Sequence, residues 1–310
     1  MHHPEIALTA VVVCICTFNR HDALTRLLRA LTTAASGSLA NQRIDVLVID
    51  DSSDGNARTV VDREAPQFPG AMHYTHLGAG NVALARNKAI ERGSQIAPWM
   101  AWIDDDCVPD PQWLAALFDV QLRTGADVVT GHVVYTTPPG APAWLHEQPF
   151  CDFTMYTDGE EPTFGTTANA LVRTAFLDEH GVRFHEGLGP TGGEDMTFFH
   201  ELREAGGQLR YSAKAIVYEE LCENRQTLRY HAYRQAWLGN NMAEINRYTG
   251  EWPRRRLFLR GVKWSVSAWT DAFARLARRE QPQFRWALAL SLRGGGLMLG
   301  VAGVRLRHRP

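Results

Sequence analysis

The sequence predicts an α/β fold whose centre is a mainly parallel sheet with helices on both faces. Three observations carry that expectation. Apolar, β-branched runs of strand length recur at 7–20, 44–53 and 99–103, as strands buried on both faces require. Segments with apolar residues at helical spacing lie between them. Each run also stops in a polar cluster, Thr17–Arg20, Asp50–Asp51 or Asp104–Asp106. In open sheets of this kind ligands bind beyond the carboxyl ends of the strands.

The elements follow in order. ALTAVVVCICTFNR (7–20) is an apolar strand running into a polar loop, and HDALTRLLRALTTAA then places Leu24, Leu27, Leu28 and Leu31 on one helical stripe. IDVLVIDDSS (44–53) is a second strand ending in acids; NARTVVDREA continues as a helix and Met72–Leu77 as a short strand. GNVALARNKAIERGS (80–94) reads as a glycine turn and a helix stopped by Gly93. Strand 99–103 is followed by PQWLAALFDVQLRTG, a helix, and ADVVTGHVVY, a strand.

At 310 residues the chain has ample material for a core. Its formal net charge of -2 hides an asymmetry. Residues 1–250 carry 19 Lys/Arg and 31 Asp/Glu, a net of -12, whereas 251–310 carry 13 and 3, a net of +10. A basic tail on an acidic body points to an anionic surface. Five scattered cysteines, Cys14, Cys16, Cys107, Cys151 and Cys222, show no zinc spacing and read as reduced packing thiols. Met1–Ala10 lacks the basic start and long apolar run of a signal peptide, so a cytoplasmic location is expected.

WMAWIDDDCVPDP (99–111) holds the strongest chemical signal. Three adjacent carboxylates repel one another and call for a positive partner. Hard oxygen ligands suit Mg2+ or Mn2+, which fill the rest of their octahedron with phosphates and water. Extended backbone would turn Asp104 and Asp106 to one face and Asp105 to the other. The competing reading is a solvated acidic turn closed by Pro109 and Pro111. In GPTGGEDMTFFHEL (189–202), Gly192 and Gly193 form a turn before a helix that starts at Glu194 and Asp195. These two carboxylates are either ordinary helix caps or a general base with its neighbour.

CTFNR, VIDDSSDGN, GNVALARNKAIERG, WIDDDCVPDPQWL, TTANALVRTAFL and GGEDMTFFHELREAG, in this order, resemble an inverting GT-A glycosyltransferase of family 2 over roughly residues 10–240. GHVVYTTPPGAPAWLHEQPF and YEELCENRQTLRYHAYRQAWLGNN are similar to bacterial succinoglycan-type glucosyltransferases. The resemblance implies a GT-A (Rossmann-like) catalytic domain over 1–250, with a nucleotide-sugar half at about 1–130 and an acceptor half at about 131–250. It implies transfer from a nucleotide-sugar, a UDP-sugar in the first instance, to a hydroxyl of a glycan or lipid-linked acceptor. Asp106 is then the principal metal ligand with Asp104, and Asp104 and Asp105 belong to the donor-binding set. Thr17, Asn19 and Arg20 would line the nucleotide pocket, Asp50 would meet a uracil ring, and Arg86 or Lys88 the base or phosphates, unless these two are solvated helix residues.

By the same resemblance Asp195 is the base and Glu194 its neighbour near the acceptor. Glu219 or Glu220 stands where many family members place a metal-binding His, with a surface acid as the alternative. Asn169 lines the acceptor or sugar pocket or is a turn residue. Gln226-x-x-Arg229-Tyr230 is similar to the QxxRW motif of processive synthases, which puts Arg225 or Arg229 near phosphates.

The tail mixes basic residues with Trp252, Phe258, Trp264, Trp269 and Phe273, as suits a helix lying in a membrane interface. WALALSLRGGGLMLGVAGV (286–304) has Arg293 near its centre, which favours an interfacial or re-entrant segment over a span. The competing reading of 251–310 is a helical subdomain packed on the catalytic domain. The expected partners are the donor, the acceptor and the anionic inner face of the cell membrane, with no nucleic acid. Two other functions share some of these features. A sugar nucleotidylyltransferase would carry a Gly-rich, Arg-containing loop where this chain has TFNRHD, and a non-catalytic binding protein leaves the DDD and GGED clusters together unexplained.

Overall fold

The structure is a computed structural model that describes residues 10–36, 43–146 and 156–307. The opening segment before Ala10, Cys151 and the end of the GHVVYTTPPGAPAWLHEQPF stretch lie outside these residues. Along the chain come β1 (Val11–Thr17), α1 (His21–Ser36), β2 (Ile44–Asp50), α2 (Ala57–Glu64), β3 (Met72–His76), α3 (Val82–Gly93) and β4 (Trp99–Ile103). Next are β5 (Cys107–Pro109), α4 (Trp113–Thr124), β6 (Val128–Thr136), β7 (Asn169–Arg173), α5 (Thr174–His180), α6 (Glu194–Glu204) and β8 (Leu209–Glu220). Three long helices close the chain: α7 (Leu228–Thr249), α8 (Arg254–Ala277) and α9 (Phe284–Val301).

The strands form one sheet in the order β3-β2-β1-β4-β7-β6-β8-β5. β1 runs parallel to β2 and β4, β2 to β3, and β6 to β8. β7 is antiparallel to both β4 and β6, and β5 is antiparallel to β8. The sheet is therefore mixed and mostly parallel, flanked by helices as expected.

Alternate residues of β1 serve two cores. Val11, Val13 and Ile15 pack with Leu24, Leu27 and Leu28 of α1, while Val12 and Cys14 pack with Ala85 and Ile90 of α3 and Phe198 of α6. A strand covered on both faces has no polar side, which is why 11–17 reads as apolar throughout. Each fully buried Leu or Ile contributes about 1.5–3 kcal/mol relative to exposure. The register sets Thr17 opposite Asp50, so the polar ends of β1 and β2 fall side by side.

Two compact units emerge: Met1–Thr136, Thr154–Glu186 and Phe198–Glu220 form the first, and Thr137–Phe153, Gly187–Thr197 and Leu221–Pro310 the second. α7 belongs with the tail, and so does the Gly192–Asp195 turn.

Within the second unit, α7, α8 and α9 pack through small residues. A Cβ on Gly239 would lie 1.8 Å from the Arg293 carbonyl oxygen, and one on Gly296 1.8 Å from that of Ala236. Gly261 and Gly294 make the same kind of close approach between α8 and α9. Arg293 donates to Gln235 Oε1 from Nε at 2.9 Å and Nη2 at 2.6 Å. Most of the apolar stretch 286–304 is thus α9, a helix packed on α7 and α8, with Gln235 of α7 accepting from its central arginine. Among the described residues no helix is long and apolar enough to cross a membrane. His231 of α7 is fully buried with the Trp144 ring edge-on at 5.4 Å. Burial, and then Arg234, push its pKa down to about 4.

Candidate active site

The site begins where β1 ends. Asn19 takes a left-handed backbone (φ 56°), a conformation Asn tolerates better than most residues. Its N–H donates to Ser52 Oγ at 2.9 Å, tying the loop after β1 to the loop after β2. The next residue, Arg20, donates from Nη1 to Asp105 Oδ1 at 2.9 Å and to Asp106 Oδ2 at 2.8 Å. The Thr17 hydroxyl donates to the other Asp105 oxygen at 2.7 Å. One cation thus bridges two neighbouring carboxylates that would otherwise repel each other.

The three aspartates are not extended. The Cys107 N–H donates to the Asp104 carbonyl at 3.1 Å, so Asp104–Cys107 form a turn, and the expected alternation of faces gives way to three separate environments. Asp105 turns inward and is almost fully buried; burial pushes its pKa up to about 6, against the pull of Arg20. Asp104 stays half-exposed, 3.5 Å from the buried Arg86 guanidinium. Arg86 itself lies over the Phe184 ring at 5.7 Å. Lys88 pairs with Glu91 on its own helix, which favours the solvated reading for that residue.

Asp106 meets Glu219. The antiparallel pairing of β5 with β8 sets Cys107 opposite Glu219, and Asp106, Cys107 and Glu219 offer ligand atoms that all lie within 4.8 Å of one another. Burial holds the Cys107 thiol well above its ordinary pKa, and the two carboxylates are the hard oxygen donors of the group. Oxygen donors of this kind fit Mg2+ or Mn2+. Glu219 is buried, whereas Glu220 is exposed, so β-alternation selects between the two candidates. Asp104 is not part of that cluster.

Two expected site residues prove to be internal braces. Asp50 is completely buried, and its carboxylate accepts the N–H groups of Ser52 and Ala57 and the Tyr74 hydroxyl, at 3.0, 3.1 and 2.8 Å. It builds the loop after β2. Asn169 is also completely buried; it accepts from Trp113 Nε1 at 2.7 Å and donates to the carbonyls of His132 and Ala215. It ties β7 to α4, β6 and β8.

Sequence reasoning passed over Asp51. Its carboxylate accepts three successive N–H groups, from Ala79, Gly80 and Asn81, at 2.7, 3.0 and 2.6 Å. It thereby shapes the loop that leads to α3, where Asn81 caps the helix by accepting from Ala83 and Leu84. Burial raises the Asp51 pKa in spite of those donors. The signal was its place directly after Asp50, the residue chosen instead.

The second unit holds the GGED turn. Gly192 and Gly193 adopt φ of 80° and 91°, a region that favours glycine. A Cβ on Gly192 would lie 2.5 Å from the Trp237 ring, and one on Gly193 2.7 Å from Asn241 Oδ1. Trp237 Nε1 donates to the Thr191 carbonyl at 2.7 Å, and Asn241 Nδ2 to those of Thr191 and Gly192 at 3.2 and 2.5 Å. α7 therefore grips this turn. Glu194 is buried, while Asp195 is partly exposed and accepts the Met196 N–H at 2.7 Å. Arg225, in the short turn before α7, is buried.

The chain is similar to known proteins in both sequence and fold. The pattern described as "Glycosyl transferase family 2" matches residues 12–181, and "Glycosyl transferase family group 2" matches 99–299. The chain is 31% identical over 296 residues to the succinoglycan biosynthesis protein ExoM of Rhizobium meliloti, covering 94% of this chain and 92% of that protein. It is 28% identical to the glycosyltransferase AglE of Haloferax volcanii over 67% of this chain and 66% of that one. Among solved structures, the mannosyltransferase PcManGT of Pyrobaculum calidifontis, in complex with GDP-Man and Mn2+, is similar with a TM-score of 0.63 at 13% identity, covering 94% of this chain and 86% of its own. S. aureus TarS 1–349 with UDP-GlcNAc is similar with a TM-score of 0.55 at 14% identity, covering 93% and 90%.

Proposed function

The chain belongs to glycosyl transferase family 2, and on that premise we propose that it is a metal-dependent inverting enzyme. It moves a sugar from a nucleoside-diphosphate-sugar, a UDP-sugar in the first instance, to a hydroxyl of a glycan or lipid-linked acceptor at the inner face of the cell membrane. The kinship with a succinoglycan biosynthesis protein supports exopolysaccharide assembly as the process it serves. The observation that supports this most is the meeting of Asp106 with Glu219 beside Arg20 and Asp105, at the ends of strands where such sheets take their ligands.

Asp106 and Glu219 would hold the divalent ion, which when bound offsets negative charge on a departing diphosphate. Arg20 and Thr17 fix the aspartate turn through Asp105, so that Asp106 is presented in one orientation. Asp104, backed by Arg86, faces the donor near its ribose, and the exposed Asn19 borders the nucleotide. Asp195 accepts the proton of the acceptor hydroxyl as its oxygen bonds to the anomeric carbon and the diphosphate leaves from the opposite side. Glu194 and the gripped glycine turn keep Asp195 in place, and Arg225 has the charge to serve a phosphate.

The test is thermal unfolding against a panel of UDP-, GDP- and TDP-sugars, with and without Mn2+. One donor should raise Tm only with the ion, and the same donor should then support transfer. Protection by no nucleotide-sugar, or equal protection without any divalent ion, overturns the reading.

A further inference from the structure

We propose that α8 is a docking surface for an anionic phospholipid bilayer, with headgroup phosphates entering a groove ringed by Arg256, Arg260 and Lys263. This rests on the reading that the acceptor is presented at a membrane, and it adds the residues that meet the lipid. The groove has a volume of about 460 Å3 and is walled by Trp252, Leu259 and Trp264 together with those three cations, and no acid lines it. Among the described residues none of the three cations has a carboxylate partner. The Arg256 guanidinium lies 3.4 Å from the Trp252 ring centre and that of Arg260 4.8 Å from the Trp264 ring centre. Stacking of this kind holds the charged heads in place through their faces and leaves their in-plane N–H groups to donate to phosphate oxygens.

A second observation points the same way. α8 buries Leu257, Gly261, Ala268 and Ala272 against its own unit, yet it also exposes Phe258, Val262, Val266, Phe273 and Leu276. These five recur at helical spacing and form one stripe along the helix, roughly a quarter-turn around from the packed residues. Phe284 of α9 extends it, with its ring centre 6.2 Å from that of Phe273. A contiguous exposed apolar face of this kind marks an interaction surface.

Charge selects the occupant. The segment 251–310 carries a net of +10, so a second copy docked face to face would be repelled. An anionic bilayer instead attracts the cations and takes the apolar stripe into its interfacial layer. The helix would lie in the plane of the surface.

Flotation of the full chain with vesicles of phosphatidylcholine, alone or with one quarter phosphatidylglycerol, tests this. Binding should favour the anionic vesicles and weaken in high salt without vanishing. Joint replacement Arg256→Gln, Arg260→Gln and Lys263→Gln should weaken binding at low salt by roughly a hundredfold, about fivefold for each basic residue. Joint replacement Phe258→Ser, Val262→Ser and Val266→Ser should remove the part that survives high salt. Both variants should keep the thermal protection given by the nucleotide-sugar, which separates failure of this surface from failure of the catalytic reading. Should either triple variant misfold, Arg260→Gln and Phe258→Ser alone should each show the smaller effect. Equal binding to neutral and anionic vesicles, or unchanged binding of the charge variant, overturns the proposal. So does a concentration-dependent dimer that the serine variant dissolves while no vesicle is bound.

Discussion

Cys107 and Glu219 stand opposite each other in the antiparallel pairing of β5 with β8, and that single register is what brings the Glu219 carboxylate to Asp106. Two residues 113 positions apart in the chain are brought together through a three-residue edge strand. A shift of one residue would exchange buried Glu219 for exposed Glu220.

The metal site yields the first prediction. Asp106→Ala should abolish transfer and the Mn2+-dependent part of nucleotide binding, and Glu219→Gln should raise the Mn2+ concentration needed for half-maximal activity by about 10–100-fold. Glu220→Gln should leave it unchanged. Titration of activity with Mn2+ decides; an equal effect of the two Gln variants would show that the register does not select the ligand.

For the base, Asp195→Asn should keep donor protection in thermal unfolding and lose about 10²–10⁴-fold in turnover, the range for removal of a general base. Glu194→Gln should lose less. Wild-type turnover in Asp195→Asn with a large loss in Glu194→Gln would exchange the two roles.

The glycine turn can be tested without chemistry. Gly192→Ala puts a Cβ 2.5 Å from the Trp237 ring and forces a non-glycine residue to φ 80°. It should cost about 1–3 kcal/mol by denaturant titration. Gly206→Ala, with equally positive φ but open space, should cost less. Equal losses would locate the whole effect in the backbone.

Acid stability should depend on His231. Its folded pKa lies at about 4 against an ordinary 6.5, chiefly through burial. Between those values the unfolded chain takes up a proton that the folded chain refuses, so stability present above pH 6.5 is lost as pH falls toward 4. The drop in Tm from pH 7 to 4.5 should be smaller in His231→Gln than in the parent. Parallel curves would remove His231 from the acid response.

Much of this was legible because strand chemistry is local. The runs at 11–17, 44–50 and 99–103 betray buried strands by being apolar on both faces, and the acids at their ends fall together because parallel strands end together. Long-range pairing was not legible. Nothing near Asn169 announces that it will hold Trp113, His132 and Ala215, and nothing in DDD says that Asp105 turns inward while Asp106 finds Glu219. Asp50 and Asp51 look alike in sequence; only the path of the loops assigns one to Tyr74 and the other to the amides of 79–81. In the tail, Arg293 reads as a defect in a membrane segment. Arg293 and Gly296 are instead where α9 closes on α7, with Gln235 supplying the acceptor, and Gly294 is where it closes on Gly261 of α8.

The glycine contacts among the last three helices limit what can be removed from this protein. A chain ended at Gly250 would strip α7 of the surface against which Gly239 and Asn240 are buried and would leave Gln235 without its arginine. Because α7 also grips the turn that carries Glu194 and Asp195, the loss would reach that carboxylate pair. Truncation is therefore the wrong instrument for separating membrane contact from sugar transfer. At Gly239, Gly261, Gly294 and Gly296 a single added carbon would act as a wedge between helices, whereas the outward stripe of α8 is free to drift in sequence without unseating the bundle.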